Sequence, residues 1–319
     1  MSSSAAPPPT AEPDVVIVGA TELLGWRRRM LAIGGGRAEL DWLLELSGGL
    51  GWAELQQLHL HPDSSVSLLR SLADIELLWR RHCEAAEPLQ YLLGRCPWRD
   101  FELAVAPGVL IPRQETELLV DLALELLPGA SGASAAGAGL LWADLGTGSG
   151  CLAVALARAL PAAHGLAVDV SEAALGQAAA NLRRCGVPDR PGLGAAGGVS
   201  LIRSDWWSML GPWWGRLDLV VSNPPYIPSG LLGGLDPVVR DHEPRLALDG
   251  GPDGLASIRA LVAQAPEALA PGGVLLLEHH HDHSPAVLEL LVAAGLDQPR
   301  PHRDLEGVLR FASARRPLV

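Results

Sequence analysis

Lysine is missing from the sequence altogether. All 24 basic residues are Arg, against 36 acidic ones, for a net charge of −12. That deficit of positive charge weighs against a free-standing nucleic-acid binder, which presents a basic face to phosphates. Cysteine is scarce as well. Cys83, Cys96, Cys151 and Cys185 form no CxxC pair and show no metal-like spacing, a usage that suits a reducing compartment. No apolar run reaches the roughly 20 residues that a membrane-crossing helix needs. The opening stretch MSSSAAPPPTAEPD has neither the basic nor the apolar region of a signal peptide. Together these absences predict a soluble, cytoplasmic protein with no membrane role.

What is present is ample apolar matter: 48% of the 319 residues are hydrophobic, enough for a sizeable core and a length that suggests two domains. Residues 1–21 are Pro-, Ala- and Ser-rich and read as a disordered tail. From 22 to 87 the apolar residues recur at helical spacing. Leu40, Leu43, Leu44 and Leu46 share one face, then Leu68, Leu69, Leu72, Ile75, Leu78 and Trp79 another, which predicts a small all-helical domain. Residues 88–107, broken by Gly94, Pro97 and Pro107, read as a linker and hairpin.

From 108 to 319 helices and strands alternate. The repeated βα units predict an α/β domain with a doubly wound, mostly parallel, seven-stranded sheet, binding ligands at the carboxyl ends of its strands. The Gly/Ala stretches at 129–139 and 190–198 read as loops without a specific role.

Four places in that domain carry chemistry. In WADLGTGSGCLAVALA a strand runs into Gly146, Thr147, Gly148, Ser149 and Gly150 and then a helix. Glycine lets the backbone approach a ligand closely, and the helix N-terminus favours an anionic group. The third position of a dinucleotide G-x-G-x-x-G fingerprint is Cys151 here, so the G-x-G-x-G spacing suits the S-adenosylmethionine loop of class I methyltransferases better than NAD. Asp169 closes the next strand, 19 residues after Gly150, where an acid commonly accepts from ribose hydroxyls. Asp205 and Trp206 follow the third strand. The carboxylate suits an adenine amino group and the indole suits the flat base, although Trp207, Trp213 and Trp214 make an ordinary aromatic cluster a competing explanation.

The fourth is LVVSNPPYIP, with Asn223, Pro224, Pro225 and Tyr226 after the fourth strand. Methylating a planar nitrogen is difficult because its lone pair is delocalised. Asn223 Oδ1 and the Pro224 carbonyl can each accept one N–H of a substrate NH₂, holding that nitrogen in line with a methyl donor, while Tyr226 packs on the flat group. Such catalysis is chiefly positioning and calls for no strong general base.

IPRQETELLVDLAL, DLGTGSG, VDVS, SDWWS, VVSNPPYIP and GGVLLLEH together resemble the release-factor glutamine N5-methyltransferases (the HemK family), over about Pro88 to Arg316. The resemblance implies methylation, with S-adenosylmethionine, of the glutamine in the Gly-Gly-Gln motif of bacterial-type peptide chain release factors. It implies cofactor contacts from Gly146 to Gly150 and from Asp169, Trp206 and Asn223. It also implies that Asn223 to Tyr226 hold the glutamine and that the helical domain, residues 22–87, grips the release factor. Leu110 to Glu117 would wall the site or merely start a helix, and Glu243-Pro244 would border the substrate pocket. No direct nucleic-acid contact and a monomer are expected.

Asn-Pro-Pro-Tyr also serves enzymes that methylate adenine N6 in DNA or RNA, the chief alternative. Those need a basic recognition surface for phosphates, and −12 offers no obvious one. A non-catalytic relative should have lost a glycine, the acid or Asn223, and all are kept. The run His279, His280, His281, Asp282, His283 departs from the family. It reads as a polar loop rather than a metal site, since adjacent residues of a strand point to opposite faces.

Overall fold

Leu23, Trp26 and Met30 on one segment, and Leu40, Leu43 and Leu44 on the next, are all buried: the three-and-four spacing makes helices whose apolar faces meet. In the computed structural model, which describes residues 15–127, 139–188 and 197–318, the chain divides into two compact units, with the boundary after Leu93. The first contains β1 (Val16–Gly19), α1 (Ala20–Ile33), α2 (Arg37–Gly48), α3 (Trp52–Leu60), β2 (Ser65–Leu68), α4 (Leu72–Ala85) and α5 (Leu89–Leu93). Ser71 caps α4 by accepting from the Asp74 N–H at 3.2 Å, and left-handed Gly49 ends α2, as cap chemistry requires.

The unit predicted as all-helical also holds a two-stranded antiparallel ladder, β1 with β2. Its sequence alternates with period two: Val18 is 4% exposed and Ile17 73%. The tail expected over 1–21 therefore gives way to structure at Val16, and its first 14 residues lie outside those described, as does most of the two Gly/Ala stretches.

The second unit opens with the expected hairpin, β3 (Arg95–Trp98) and β4 (Phe101–Ala104), followed by α6 (Glu117–Leu126). Then come β5 (Leu141–Leu145), α7 (Cys151–Ala159), β6 (His164–Asp169), α8 (Glu172–Arg184), β7 (Val199–Arg203) and β8 (Leu217–Ser222). The remainder is α9 (Pro237–Arg240), α10 (Ala256–Ala268), β9 (Leu269–Glu278), α11 (Ser284–Ala293), β10 (Asp297–Arg303) and β11 (Leu309–Arg315). The sheet has seven strands in the order β7-β6-β5-β8-β9-β11-β10. The first five run parallel, and β11 is antiparallel to β9 and β10.

Beyond the parallel strands the sheet is completed by a hairpin, β10 with β11. Of the two, β10 carries Pro299 and Pro301 and occupies the sheet edge, where a missing N–H is tolerated. One face of the sheet packs on Leu119 and Val120 of α6, Leu152 and Leu156 of α7 and Leu182 of α8. The other packs on Ile258 and Leu261 of α10 and Val287 and Leu291 of α11. Because β5 to β9 are parallel, the segments that leave their carboxyl ends all gather at one edge. No described helix is long and apolar enough to cross a membrane.

Candidate active site

At that edge a cavity of about 290 Å³ is lined by Gly146, Gly148, Asp169, Asp205, Trp206, Asn223 and Pro225 among others. Four separately recognised motifs thus meet at one place. The facing wall is Val109 and Leu110 from the segment before α6, and Pro244 and Leu246 from the loop after α9.

The glycine loop is built as its residue types demand. The Gly146 and Thr147 N–H groups donate to the Val168 carbonyl at 2.8 and 2.9 Å, tying β5 to β6. Gly146, Gly148 and Gly150 all have left-handed φ, 78°, 55° and 81°, which any other residue adopts at a cost. A Cβ on Gly146 would sit 3.2 Å from the Trp206 ring, and one on Gly150 2.9 Å from Ala178 Cβ. At Gly148 a Cβ would meet nothing within 4 Å, since that side is open cavity.

Thr147, Ser149 and Gly150 do not line the cavity. The Thr147 hydroxyl donates to Asp144 Oδ2 at 2.6 Å, and the Ser149 carbonyl accepts from Asn181 Nδ2 at 2.8 Å. Thr147 through its side chain and Ser149 through its backbone thus shape the loop from within.

Asp169 joins the glycine loop to the start of α8. Its Oδ2 accepts from the Gly148 N–H and its Oδ1 from the Ser171 N–H, both at 2.9 Å. Lone pairs remain for hydroxyl donors. Ser171 caps α8, accepting from Ala174 N. Asp205 is exposed and Trp206 half-buried. Trp206 has φ 47°, a strained conformation for a bulky residue. The Ser204 hydroxyl holds it by donating to its carbonyl at 3.1 Å. Trp207 is core, stacked away from the cavity with its indole N–H donating to the Ala260 carbonyl; of the aromatic cluster, it is Trp206 that reaches the site.

Among the described residues, the cavity lining contains carboxylates and no cation. Phosphates would find no basic partner there, whereas a nucleoside carrying a sulfonium and an ammonium group is matched in charge, with Asp169 for ribose hydroxyls and Trp206 for a flat base. The donor set fits S-adenosylmethionine.

After the fourth parallel strand, Ser222 at the end of β8 donates to the Leu145 carbonyl at 2.5 Å, locking the strand from which Asn223 emerges. Asn223 lines the cavity; Pro224 is buried beneath it, and Pro225 lines the cavity too. Tyr226 is not a lining residue. Its backbone is pinned from below: the Ile227 N–H donates to the Leu248 carbonyl and the Gly250 N–H to the Ile227 carbonyl, at 3.0 and 2.8 Å. A Cβ on Gly250 would fall 2.8 Å from Tyr226 Cα, so the two loops approach as closely as backbone can. Asp249 Oδ1 completes the junction by accepting from Ser229 Oγ at 2.5 Å.

Three side-chain pairings are not legible in the motifs that hold their members. Thr116 Oγ1 donates to Glu278 Oε2 at 2.7 Å and accepts from Asn223 Nδ2 at 2.9 Å, and the Tyr226 hydroxyl donates to Glu278 Oε1 at 3.1 Å. Burial pushes Glu278 up to about 7 despite those hydrogen bonds, and it pushes the Tyr226 hydroxyl up as well. Asp144, also buried, is raised to about 7 by desolvation, which outweighs its bond from Thr147; its Oδ1 has no partner. Finally, Arg113 Nη2 donates to Glu243 Oε1 at 2.7 Å and the Ile111 N–H to Oε2 at 3.4 Å. This joins the two segments that form the cavity's far wall.

His279 is buried. His281–His283 form a 3-10 turn leading into α11, so the strand-face argument does not apply to them. His280, His281 and Asp282 bring ligand-type atoms within 4.8 Å of one another, but two of the three are exposed and pair with each other at 3.2 Å. They form a polar rim to the turn.

This sheet order, with a glycine loop after its first strand, an acid after the second and Asn-Pro-Pro-Tyr after the fourth, defines a class I methyltransferase. The methyltransferase small domain family matches residues 126–230. The release factor glutamine methyltransferase of Prochlorococcus marinus is 50% identical over 302 residues, 93% of this chain and 97% of that protein. The one of Gloeobacter violaceus is 44% identical over 84% of this chain and 87% of its own. Among solved structures, the release factor-specific protein-(glutamine-N5) methyltransferase from Alicyclobacillus acidocaldarius is 28% identical, covering 67% of this chain and 99% of that one, with a TM-score of 0.39. The chain belongs to the release factor glutamine methyltransferase family.

Proposed function

We propose that this protein methylates the side-chain nitrogen, N5, of the glutamine in the Gly-Gly-Gln motif of bacterial-type peptide chain release factors. The observation that carries the reading is the placement of Asn223 at the meeting point of the glycine loop, Asp169 and Trp206. On this reading Gly146, Gly148, Asp169, Asp205 and Trp206 hold S-adenosylmethionine. When bound, that cofactor supplies an electrophilic methyl group on a sulfonium. Asn223 Oδ1 and the Pro224 carbonyl accept the two N–H bonds of the substrate amide, which leaves its nitrogen facing the cofactor side. Pro224, fixed in φ and buried, keeps that carbonyl from turning away. Catalysis is then positioning, worth up to ~7–11 kcal/mol in favourable cases.

The helical unit would contact the release factor, and the enzyme would act as a cytoplasmic monomer without touching nucleic acid. The chain's net charge of −12 and the cation-free cavity support a protein substrate over adenine in a phosphate-bearing strand.

The test is mass spectrometry of purified release factor incubated with the protein and methyl-labelled S-adenosylmethionine, with Asn223→Ala in parallel. A one-methyl gain on the Gly-Gly-Gln peptide, absent with the variant, is expected. Label appearing on RNA or DNA instead would overturn the reading.

A further inference from the structure

We propose that Glu278 is a positioning residue for methyl transfer: its buried carboxylate, acting through Thr116, orients the Asn223 amide so that Oδ1 faces the substrate, and it holds Tyr226 of the same loop. Glu278 is the last residue of β9 and only 1% exposed. It does not line the cavity, and although it stands in the GGVLLLEH stretch, nothing there gives it a role.

The argument is one of hydrogen counting. An amide presents its oxygen or its NH₂ to a given neighbour, and the two are nearly the same size, so only partners decide which. Thr116 has a single hydroxyl hydrogen. Ionised Glu278 accepts it at 2.7 Å, and the Thr116 oxygen is then left as an acceptor for Asn223, whose NH₂ meets it at 2.9 Å. Oδ1 is thereby turned the other way, and no described residue donates to it. An oxygen is what an incoming amide NH₂ requires; an Asn223 flipped about its last bond would offer N–H to N–H. Tyr226 donates to the second oxygen of the same carboxylate at 3.1 Å. One acid therefore sets two residues of the Asn-Pro-Pro-Tyr loop, across 162 residues of chain in the case of Thr116.

A proton on Glu278 changes the count. The carboxyl O–H can then donate to Thr116, whose own hydrogen is released toward Asn223 and favours the flipped amide. The charged and titratable groups around Glu278 are Glu115 and Tyr226, from the segment before α6 and the loop after β8, and Arg310 on β11, with His279 next along the chain. Arg310 is drawn off by Asp304 at 2.6 Å, and Glu115 adds negative charge, so the neighbourhood gives the anion little help. The orientation of Asn223 is therefore coupled to the protonation of Glu278 near neutral pH.

The proposal rests on the amide-methylation reading for its substrate, while the hydrogen-bond relay stands without it, and the test separates the two. Initial rates on release factor are measured for wild type, Glu278→Gln, Thr116→Val and Thr116→Ser from about pH 5.5 to about pH 9, with cofactor Kd by calorimetry. Thr116→Val is expected to lower kcat about 10–100-fold. Glu278→Gln, whose amide oxygen can still accept from Thr116, loses only the titrating proton, and both variants are expected to abolish the acid limb of the kcat profile. Cofactor Kd should stay within about twofold, and Thr116→Ser should keep both rate and profile, because it preserves the hydroxyl.

In parallel, the Asn223 side-chain NH₂ resonance, assigned by its loss in Asn223→Asp, is followed against pH. It should titrate with one midpoint in the wild type and not in Glu278→Gln. Should Glu278→Gln fail to fold, Thr116→Val breaks the relay at its middle member. Wild-type kcat and acid limb in both variants, or an Asn223 resonance indifferent to pH, would overturn the proposal. A wild type that modifies no release factor would sink the proposed function alone, and the resonance would then decide the relay.

Discussion

Asn181 Nδ2 donates to the Ser149 carbonyl at 2.8 Å from a side chain that is wholly buried. The same amide accepts from the Ala104 N–H at 2.7 Å and donates to the Ala104 carbonyl at 2.9 Å. One residue of α8 thus joins the end of the β3–β4 hairpin to the glycine loop. Asn181→Ala takes this partner from the Ser149 carbonyl and the Ala104 N–H, while the Ala104 carbonyl keeps Gln177 Nε2 at 2.8 Å. The cost is about 1–3 kcal/mol for each stranded group that water cannot reach. The expected outcome is a fall in Tm of about 4–10 °C, with a several-fold weaker cofactor Kd because Ser149 sits in the loop itself. Thermal melts and calorimetry check it; an unchanged Tm would mean the hairpin does not brace the loop.

Gly148 and Gly150 separate two reasons for being glycine. Both have positive φ, so an alanine at either costs roughly 1–2 kcal/mol in backbone strain. At Gly150 the new Cβ also strikes Ala178, at 2.9 Å from its Cβ and 3.0 Å from its Cα, where backbone must give. At Gly148 the Cβ enters open cavity. Gly150→Ala should therefore lower Tm by several degrees more than Gly148→Ala. Gly148→Ala should instead raise the cofactor Kd out of proportion to its stability loss. Equal melting temperatures, with equal affinities, would refute this division of roles.

What could be read from the sequence was local. The glycine loop, Asp169, Asp205-Trp206 and Asn223 to Tyr226 each announce themselves within a few residues, and strand alternation places all four at one sheet edge. What could not be read depends on partners far apart in the chain. Thr116 and Glu278 meet across 162 residues, and Thr116 alone is an unremarkable helix-start residue. β1 finds its partner in β2, beyond three helices, so the alternation of Val16 and Val18 looked like the end of a tail. The edge strand β10 hides behind Pro299 and Pro301, which argue against a strand everywhere except at an edge.

Stability should fall as pH rises through neutrality, and Asp144 is one cause. Burial raises it from 3.8 to about 7. A folded-state value above the unfolded one means that the native state binds the extra proton. That stabilisation is complete below about pH 4 and is lost as pH climbs through about 7. Asp144→Asn keeps an acceptor for the Thr147 hydroxyl and removes the buried charge. The fall in Tm between pH 6 and pH 8, values chosen to straddle the midpoint near 7, should then be smaller in Asp144→Asn than in wild type. Glu278 contributes in the same direction, so the slope should shrink without vanishing. An identical slope in both proteins would show that Asp144 is not titrating there.

Arg113 and Glu243 give a prediction about the cavity's far wall. The Glu243 side chain is 1% exposed and that of Arg113 32%. Burial raises the Glu243 carboxyl, with Arg113 opposing it. Removing the guanidinium leaves a buried carboxylate holding only the long bond from the Ile111 N–H. Loss of one partner from a fully buried pair costs about 3–5 kcal/mol, and roughly 2–4 is expected here because Arg113 keeps contact with water. Leu110, which precedes Ile111, and Pro244, which follows Glu243, both line the cavity, so the effect should reach the substrate. Arg113→Ala should raise KM for the protein substrate more than it lowers kcat, since Asn223 and Glu278 are untouched. Glu243→Gln, which carries no charge to strand, should recover most of the lost Tm when combined with Arg113→Ala. A double variant no more stable than Arg113→Ala alone would show that the stranded charge is not what destabilises the wall.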